Sequence, residues 1–314
     1  MLDFKLRCNN FILNWNIIDD VFEGTGDYIY PVCSYLFIDE EKILNEKILQ
    51  EYLDIFNQHQ EIFSNFSGDH IPALFTCLLA SMSNPTRHLK NAIQFYKELC
   101  QHFQSSEYLM IGAIFMVDVI RPNQYIEIAK RTKDIYDIME GAHRILTAKE
   151  HIVFAMFMAA SARSNTKYIV NASEYYNQLK KKFSAGGPLL SISYAISMYD
   201  WTNKPSRVIN LFDILVSNKL HYGTSHELST LGVAAMSNAH LKLMAPQIVT
   251  TNKILFNLKN YGNSISAKKA KLAHASMIVS SVYPHAKTDT MDKISIKTSV
   301  ARYSLFLTAL AGKI

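Results

Sequence analysis

The segment Asn171 to Phe183, NASEYYNQLKKKF, has a counterpart about 80 residues upstream in Asn91 to Phe103, NAIQFYKELCQHF, and this self-similarity constrains the fold more than any other feature. Asn91 aligns with Asn171, Ala92 with Ala172, Tyr96 with Tyr176, Leu99 with Leu179 and Phe103 with Phe183. An apolar stretch precedes each copy, and a third pairing, TSHELSTLGVAAM before NKILFNLKNYG, follows at a similar distance downstream. Similarity at a fixed period marks helical repeat arrays, in which one unit cannot bury its own apolar faces and stacks on its neighbours. The expected fold is all-α, with helical-hairpin repeats stacked as an α/α superhelix or solenoid. Residues 1–66 read as an N-terminal helical cap, 67–146, 147–223 and 224–282 as three repeats, and 283–314 as a C-terminal cap helix, all in one continuous domain.

Composition supports the class. A chain of 314 residues that is 49% hydrophobic and 19% charged has the makeup of a folded protein. Its 11 Gly and 8 Pro leave little turn chemistry for a many-stranded β protein. Cys8, Cys33, Cys77 and Cys100 form no CxxC pair, so neither a zinc site nor a disulfide framework is expected, and the thiols read as reduced core residues of a cytoplasmic protein. The N-terminal stretch lacks the apolar core and small-residue cleavage site of a signal peptide. The longest apolar run, Tyr108 to Val117, is far shorter than the roughly 20 residues of a membrane span.

Within a repeat, the spacing predicts four helices. Two apolar segments, Ile152 to Ala160 and Leu228 to Met236, have no polar face and should be buried inner helices. Thr147 with Glu150 and Thr224 with Glu227 have the T-x-x-E form of a capping box before them. The second helix is amphipathic, with Tyr168, Ala172, Tyr175, Tyr176, Leu179 and Phe183 on one face. Leu109 to Val117 and Leu189 to Met198 form the third, and Pro122 and Pro205 open the fourth, where a missing N–H costs nothing. In the N-terminal cap, Gly24 and Gly26 end a first helix, after which Ile43, Ile48, Leu53, Ile55 and Ile62 recur at helical spacing as one buried stripe. The segment Thr298 to Leu310 reads as a final helix closing the stack, with Arg302 and Lys313 exposed.

At FSNFSG (Phe63 to Gly68), HRILTAKEHIVFAMFMA (His143 to Ala159), GGPLLSISYAISM (Gly186 to Met198) and HYGTSHELSTLGVAAM (His221 to Met236), the chain resembles a family of uncharacterised single-domain proteins of about this length, a domain of unknown function found mainly in Gram-positive bacteria. The resemblance covers residues 40–260 and implies a bacterial cytoplasmic protein with no known activity. The family pattern has Arg where this chain has Ser67, two aspartates at Glu150-His151, and His at Tyr194. If those groups form a site in relatives, this chain has altered each of them.

The candidate ligand or metal residues are therefore Glu150, His151 and Tyr194. Three histidine–carboxylate pairs, Asp69-His70, Glu150-His151 and His226-Glu227, sit at equivalent repeat positions. With packed helices about 8–10 Å apart, successive pairs should lie roughly 20 Å from one another, too far to share an ion. No metal site follows, and without a nucleophile elbow or a phosphate-binding glycine loop no catalytic residue or cofactor is expected. Tyr175, Tyr176 and Tyr199 are candidates for a groove lining, because tyrosine combines a large apolar area with a polar tip; Tyr194 could join them. Lys268, Lys269 and Lys271, with Lys253, Lys259 and His274 nearby and Tyr261 available for stacking, make the one local basic patch. It is small, and the pI of 8.8 falls short of a dedicated nucleic-acid binder.

Charge is distributed unevenly. Asp19, Asp20, Glu23, Asp27 and the Asp39-Glu40-Glu41 run make the first 70 residues acidic, and basic residues dominate beyond Thr251. The reading that these features favour is a scaffold with a protein or peptide partner, no nucleic acid and no membrane span. The alternative is an enzyme or sensor, dependent on a metal or small molecule, with a degenerate site at Glu150, His151 and Tyr194.

Overall fold

The computed structural model describes residues 4–22, 29–38, 44–64, 66, 68–161, 165–258, 261, 265–283 and 291–311. Glu23, Gly24, Gly26, Asp27, the run 39–41, Ile43, Ser67, Lys259 and Lys313 lie outside them. Every regular element among the described residues is helical, so the protein is all-α. No described helix is long and apolar enough to cross a membrane. The chain divides into two compact units, one of residues 5–130 and one of residues 131–314 with 1–4.

The smaller unit holds α1 (Phe4–Val21), α2 (Ile29–Ser34), α3 (Glu46–Asn57), α4 (Gln60–Phe63), α5 (Ile71–Ala80), α6 (Pro85–Leu99) and α7 (Glu107–Met116). Side-chain caps set several of these starts: Asn45 Oδ1 accepts from Lys47 N at 2.8 Å, Asn84 Oδ1 from Arg87 N at 3.3 Å, and Ser106 Oγ from Leu109 N at 3.3 Å. The apolar helix α5 is buried from Ala73 to Leu79 and packs against α2, α3 and α6. Around it, Phe75 meets Phe63 (4.8 Å between centroids) and Phe66 (5.7 Å), and Phe56 meets Phe63 at 4.5 Å. The isoleucine stripe expected on α3 is displaced. Leu49 and Phe56 are the buried residues of that helix, while Ile48 is 42% exposed and Ile55 and Ile62 are half-buried.

In the larger unit, α8 (Tyr125–His143), which begins before the division, is followed by α9 (Ile152–Ala160), α10 (Asn165–Leu179), α11 (Gly187–Ser197), α12 (Lys204–Ser217), α13 (Glu227–Ala235), α14 (Leu241–Phe256), α15 (Ile265–Ser281) and α16 (Met291–Leu310). The mainly apolar α9, α11 and α13 are buried throughout apart from their ends, the serines of α11 and α13 included, and the amphipathic α10, α12 and α14 alternate with them. Before α11 the chain turns at Gly186, whose φ of +155° a side-chain-bearing residue rarely adopts. Helix α13 meets α11 at Gly232, where a Cβ would stand 2.5 Å from Ile192 Cγ1 and 2.9 Å from Ile196 Cγ2. Helix α16 packs against α9, α11, α13 and α15 together. Val300, Tyr303 and Leu305 to Leu307 are buried there, and Arg302 is half-buried instead of exposed.

Neither T-x-x-E box forms. The Thr147 hydroxyl donates to the carbonyls of Met139 (3.2 Å) and His143 (3.1 Å), closing the end of α8, and the Thr147 N–H that Glu150 would have capped donates to His143 O at 2.9 Å, while the next N–H, of Ala148, goes to His151 Nδ1. Glu227 Oε2 accepts from Ser225 N at 3.2 Å, and the helix starts at Glu227 itself. At the other end of α13, the Arg207 guanidinium donates to the carbonyls of Ala235, Ser237 (2.9 Å) and Ala239 (2.6 Å). The indole of Trp201, under that guanidinium at 4.1 Å, donates to Met236 O at 2.7 Å. A cation and an N–H thereby satisfy carbonyls left open at a helix C-terminus.

Candidate functional site

His151 ends the short 3-10 turn Lys149–His151 that leads into α9, and its ring is fully buried. Its Nδ1 accepts from Ala148 N at 3.0 Å, so the ring proton sits on Nε2, which donates to Ser191 Oγ at 2.9 Å; Ser191 in turn donates to Gly187 O at 3.2 Å. Burial first, then the neighbouring His226 charge, lowers the His151 pKa to about 3. The imidazole is therefore neutral at physiological pH.

The edge of Tyr194 meets this ring, with centroids 5.5 Å apart at 70°. Tyr194 is buried, and burial raises its phenol well above the usual range. The Thr147 hydroxyl beside it tempers that rise but has its own proton committed to α8, so the phenol oxygen makes no well-formed hydrogen bond among the described residues. Glu150 is half-buried and turns its carbonyl to the Tyr303 hydroxyl. Its carboxylate acts on His226, whose pKa burial lowers while Glu150 and Glu227 oppose. His226 Nδ1 is also buried and has no hydrogen-bond partner among the described residues.

The second and third histidine–carboxylate pairs thus come close enough to affect each other's protonation, which a separation of roughly 20 Å would prevent. The spacing rule assumed repeats laid side by side, whereas α11 and α13 pack at a glycine contact. Among the described residues, no three His, Cys, Asp or Glu side chains are grouped to hold a metal ion.

The tyrosines expected in a groove are mostly interior. Tyr199 is buried and its hydroxyl donates to Lys297 O at 3.3 Å; Tyr176 is buried against the His143 ring, centroids 5.5 Å apart. Tyr175 is half-buried, with Lys204 Nζ 5.3 Å from its ring centroid. Amphipathic spacing gives which face a tyrosine occupies, but not how deeply its helix sinks.

The basic patch also breaks up. Lys268 is exposed and Lys269 half-buried, but Lys271 is buried with Nζ 4.7 Å from the Phe256 ring centroid and 5.3 Å from that of Tyr261. Burial and Lys268 lower the Lys271 pKa. Tyr261 is buried and hydrogen-bonded to His274 Nδ1 at 2.5 Å, so it offers no face for a base to stack on.

Sequence reasoning missed a cleft of about 660 Å³ in the smaller unit, between α3–α4 and α6. Ile55, Ile62, Leu89 and Ile93 give it an apolar lining, and Arg87, Lys90 and Lys97 stand exposed on its α6 side, with His59 and Glu61 opposite. None of the three cations forms an ion pair among the described residues. Its signal in the sequence was Ile55 and Ile62, seven residues apart, read as core although both are only half-buried beside the buried Leu49–Phe56 face.

The family model described as Protein of unknown function (DUF4003) matches residues 14–307, and the chain belongs to that family. No curated protein and no solved structure matches it.

Proposed function

We propose that this member of the DUF4003 family is a bacterial, cytoplasmic α-helical repeat protein that serves as an interaction scaffold for a protein or peptide partner. The observation that carries the reading is the α3–α6 cleft, whose half-buried isoleucines are flanked by exposed cations that form no ion pair among the described residues. Concave apolar channels with a polar rim of this kind receive peptide segments, often as helices. The repeat organisation, with repeats at 67–146, 147–223 and 224–282 between caps at 1–66 and 283–314, is supported by the sequence period and by the alternation of buried and amphipathic helices. The test compares wild type with Ile93→Asp as baits. A partner retained by the wild type and lost by the equally stable variant supports the scaffold; identical recovery by both removes the cleft from it.

A second reading, a small-molecule enzyme or sensor, is favoured by one observation: Tyr194 Oη and His226 Nδ1, near Glu150 and His151, are both buried and form no hydrogen bond among the described residues. Buried unpaired polar atoms are uncommon and call for an explanation, of which a ligand is one. A saturable rise in Tm with a metabolite, abolished by Tyr194→Phe, is its expected signature.

A further inference from the structure

The charge and shape of the α3–α6 cleft identify the class of partner, and we infer that it takes an acidic amphipathic helix; this rests on the scaffold reading. On α6, Leu89, Ile93, Thr86, Lys97, Lys90 and Arg87 fall in that order around one face when each residue is advanced 100°, so the apolar groups form one edge and the cations the other. Ile55 and Ile62 complete the apolar channel from the opposite wall. A ligand helix lying along α6 with its apolar stripe on the isoleucines brings one of its polar flanks against Arg87, Lys90 and Lys97. Facing groups on the far wall contribute one carboxylate, Glu61, and His59, whose Nδ1 is held by Ile55 O at 2.9 Å.

Extent fixes the length. The lining residues of α6 run from Asn84 to Lys97, about 20 Å at 1.5 Å per residue, which matches a ligand helix of about 14 residues. Two other polyanions fit less well. The lining holds no Phe, Tyr or Trp to stack a base, and a recessed aliphatic channel cannot be entered by the flat surface of an anionic bilayer.

Fluorescence anisotropy on the full-length protein tests this with three labelled 14-residue helical peptides. All carry leucines at i, i+3, i+4 and i+7; the polar flank is Glu in the first, Gln in the second and Lys in the third. The Glu peptide is expected to bind about tenfold more tightly than the Gln peptide, to weaken with added salt, and to lose its advantage to the Lys peptide on the Lys90→Glu/Lys97→Glu protein. Both lysines are exposed, so that protein should fold normally. Equal binding of the Glu and Gln peptides, or an unchanged preference in the charge-reversed protein, overturns the acidic partner but leaves the scaffold standing. Failure of all three to bind overturns the helix itself. If, in addition, Ile93→Asp changes no interaction of the full-length protein, the scaffold reading falls too. Preference for a single-stranded oligonucleotide or anionic vesicles over the Glu peptide assigns the cations elsewhere and also overturns the inference.

Discussion

His151 Nε2 lies 2.9 Å from Ser191 Oγ, joining the turn before α9 to the first part of α11 through a buried imidazole that carries its proton on the nitrogen facing the serine. The bond on the other side of the ring, in which Nδ1 accepts from Ala148 N at 3.0 Å, exists only while the ring is neutral. Protonation there would replace an acceptor by a donor opposite another N–H.

Stability should therefore depend on this ring below neutral pH. His151 has a folded pKa of about 3 against about 6.5 unfolded, so the unfolded chain takes the proton first; the contribution is complete above about pH 6.5 and is lost as pH falls toward 3. His274, also fully buried at about 3, adds a loss in the same window. Urea denaturation from pH 7 to pH 4 should show stability falling by several kcal/mol in order of magnitude. His151→Gln, whose amide can accept from Ala148 and donate to Ser191, should be less pH-dependent; an unchanged slope would contradict the assignment.

Gly232→Ala should destabilise despite alanine's higher helix propensity. The propensity gain is about 1 kcal/mol, whereas overpacking a buried contact costs about 1–3 kcal/mol, and the obstructing Ile192 has no exposed surface toward which to move. Ile192→Ala, which removes the Cγ1 that stands 2.5 Å from the new methyl, should cost less in the Gly232→Ala background than alone, and strictly additive effects would show that the two do not touch.

Replacing Arg207 by Ala should cost about 2–4 kcal/mol, because three carbonyls lose a charged donor and the Trp201 ring loses its cation. Arg207→Lys should recover little of it, since an ammonium cannot reproduce the planar fork. Chemical denaturation of the three proteins reads both effects.

The all-α class and the alternation of buried and amphipathic helices were legible because apolar periodicity reports directly on burial: Ile152 to Ala159 and Leu228 to Met236 are interior as their lack of a polar face required. Polar side chains were harder to place. Thr147 and Glu150 have the spacing of a capping box, yet the competing partner, the open end of α8, lies outside the local window and takes the hydroxyl. Lys271 and Tyr199 look like surface groups by residue type and are interior, one amine against aromatic rings and one phenol on Lys297 O. Closeness of His151 to His226 depends on how helices distant in sequence meet: His151 bonds to Ser191 on α11, and α11 packs on α13, which His226 precedes. The cleft isoleucines differ from core isoleucines only in what their neighbours fail to cover.

The central claim is that the α3–α6 cleft is where a partner segment binds, and hydrogen exchange read by mass spectrometry tests it most directly. Saturating wild-type protein with the Glu-flanked helical peptide should slow exchange in residues 46–63 and 84–97, and the same peptide should leave the Ile93→Asp protein unchanged. Protection absent from both segments, or confined to residues 147–151, 187–194 and 226–227 around His151, Tyr194 and His226, would contradict the account.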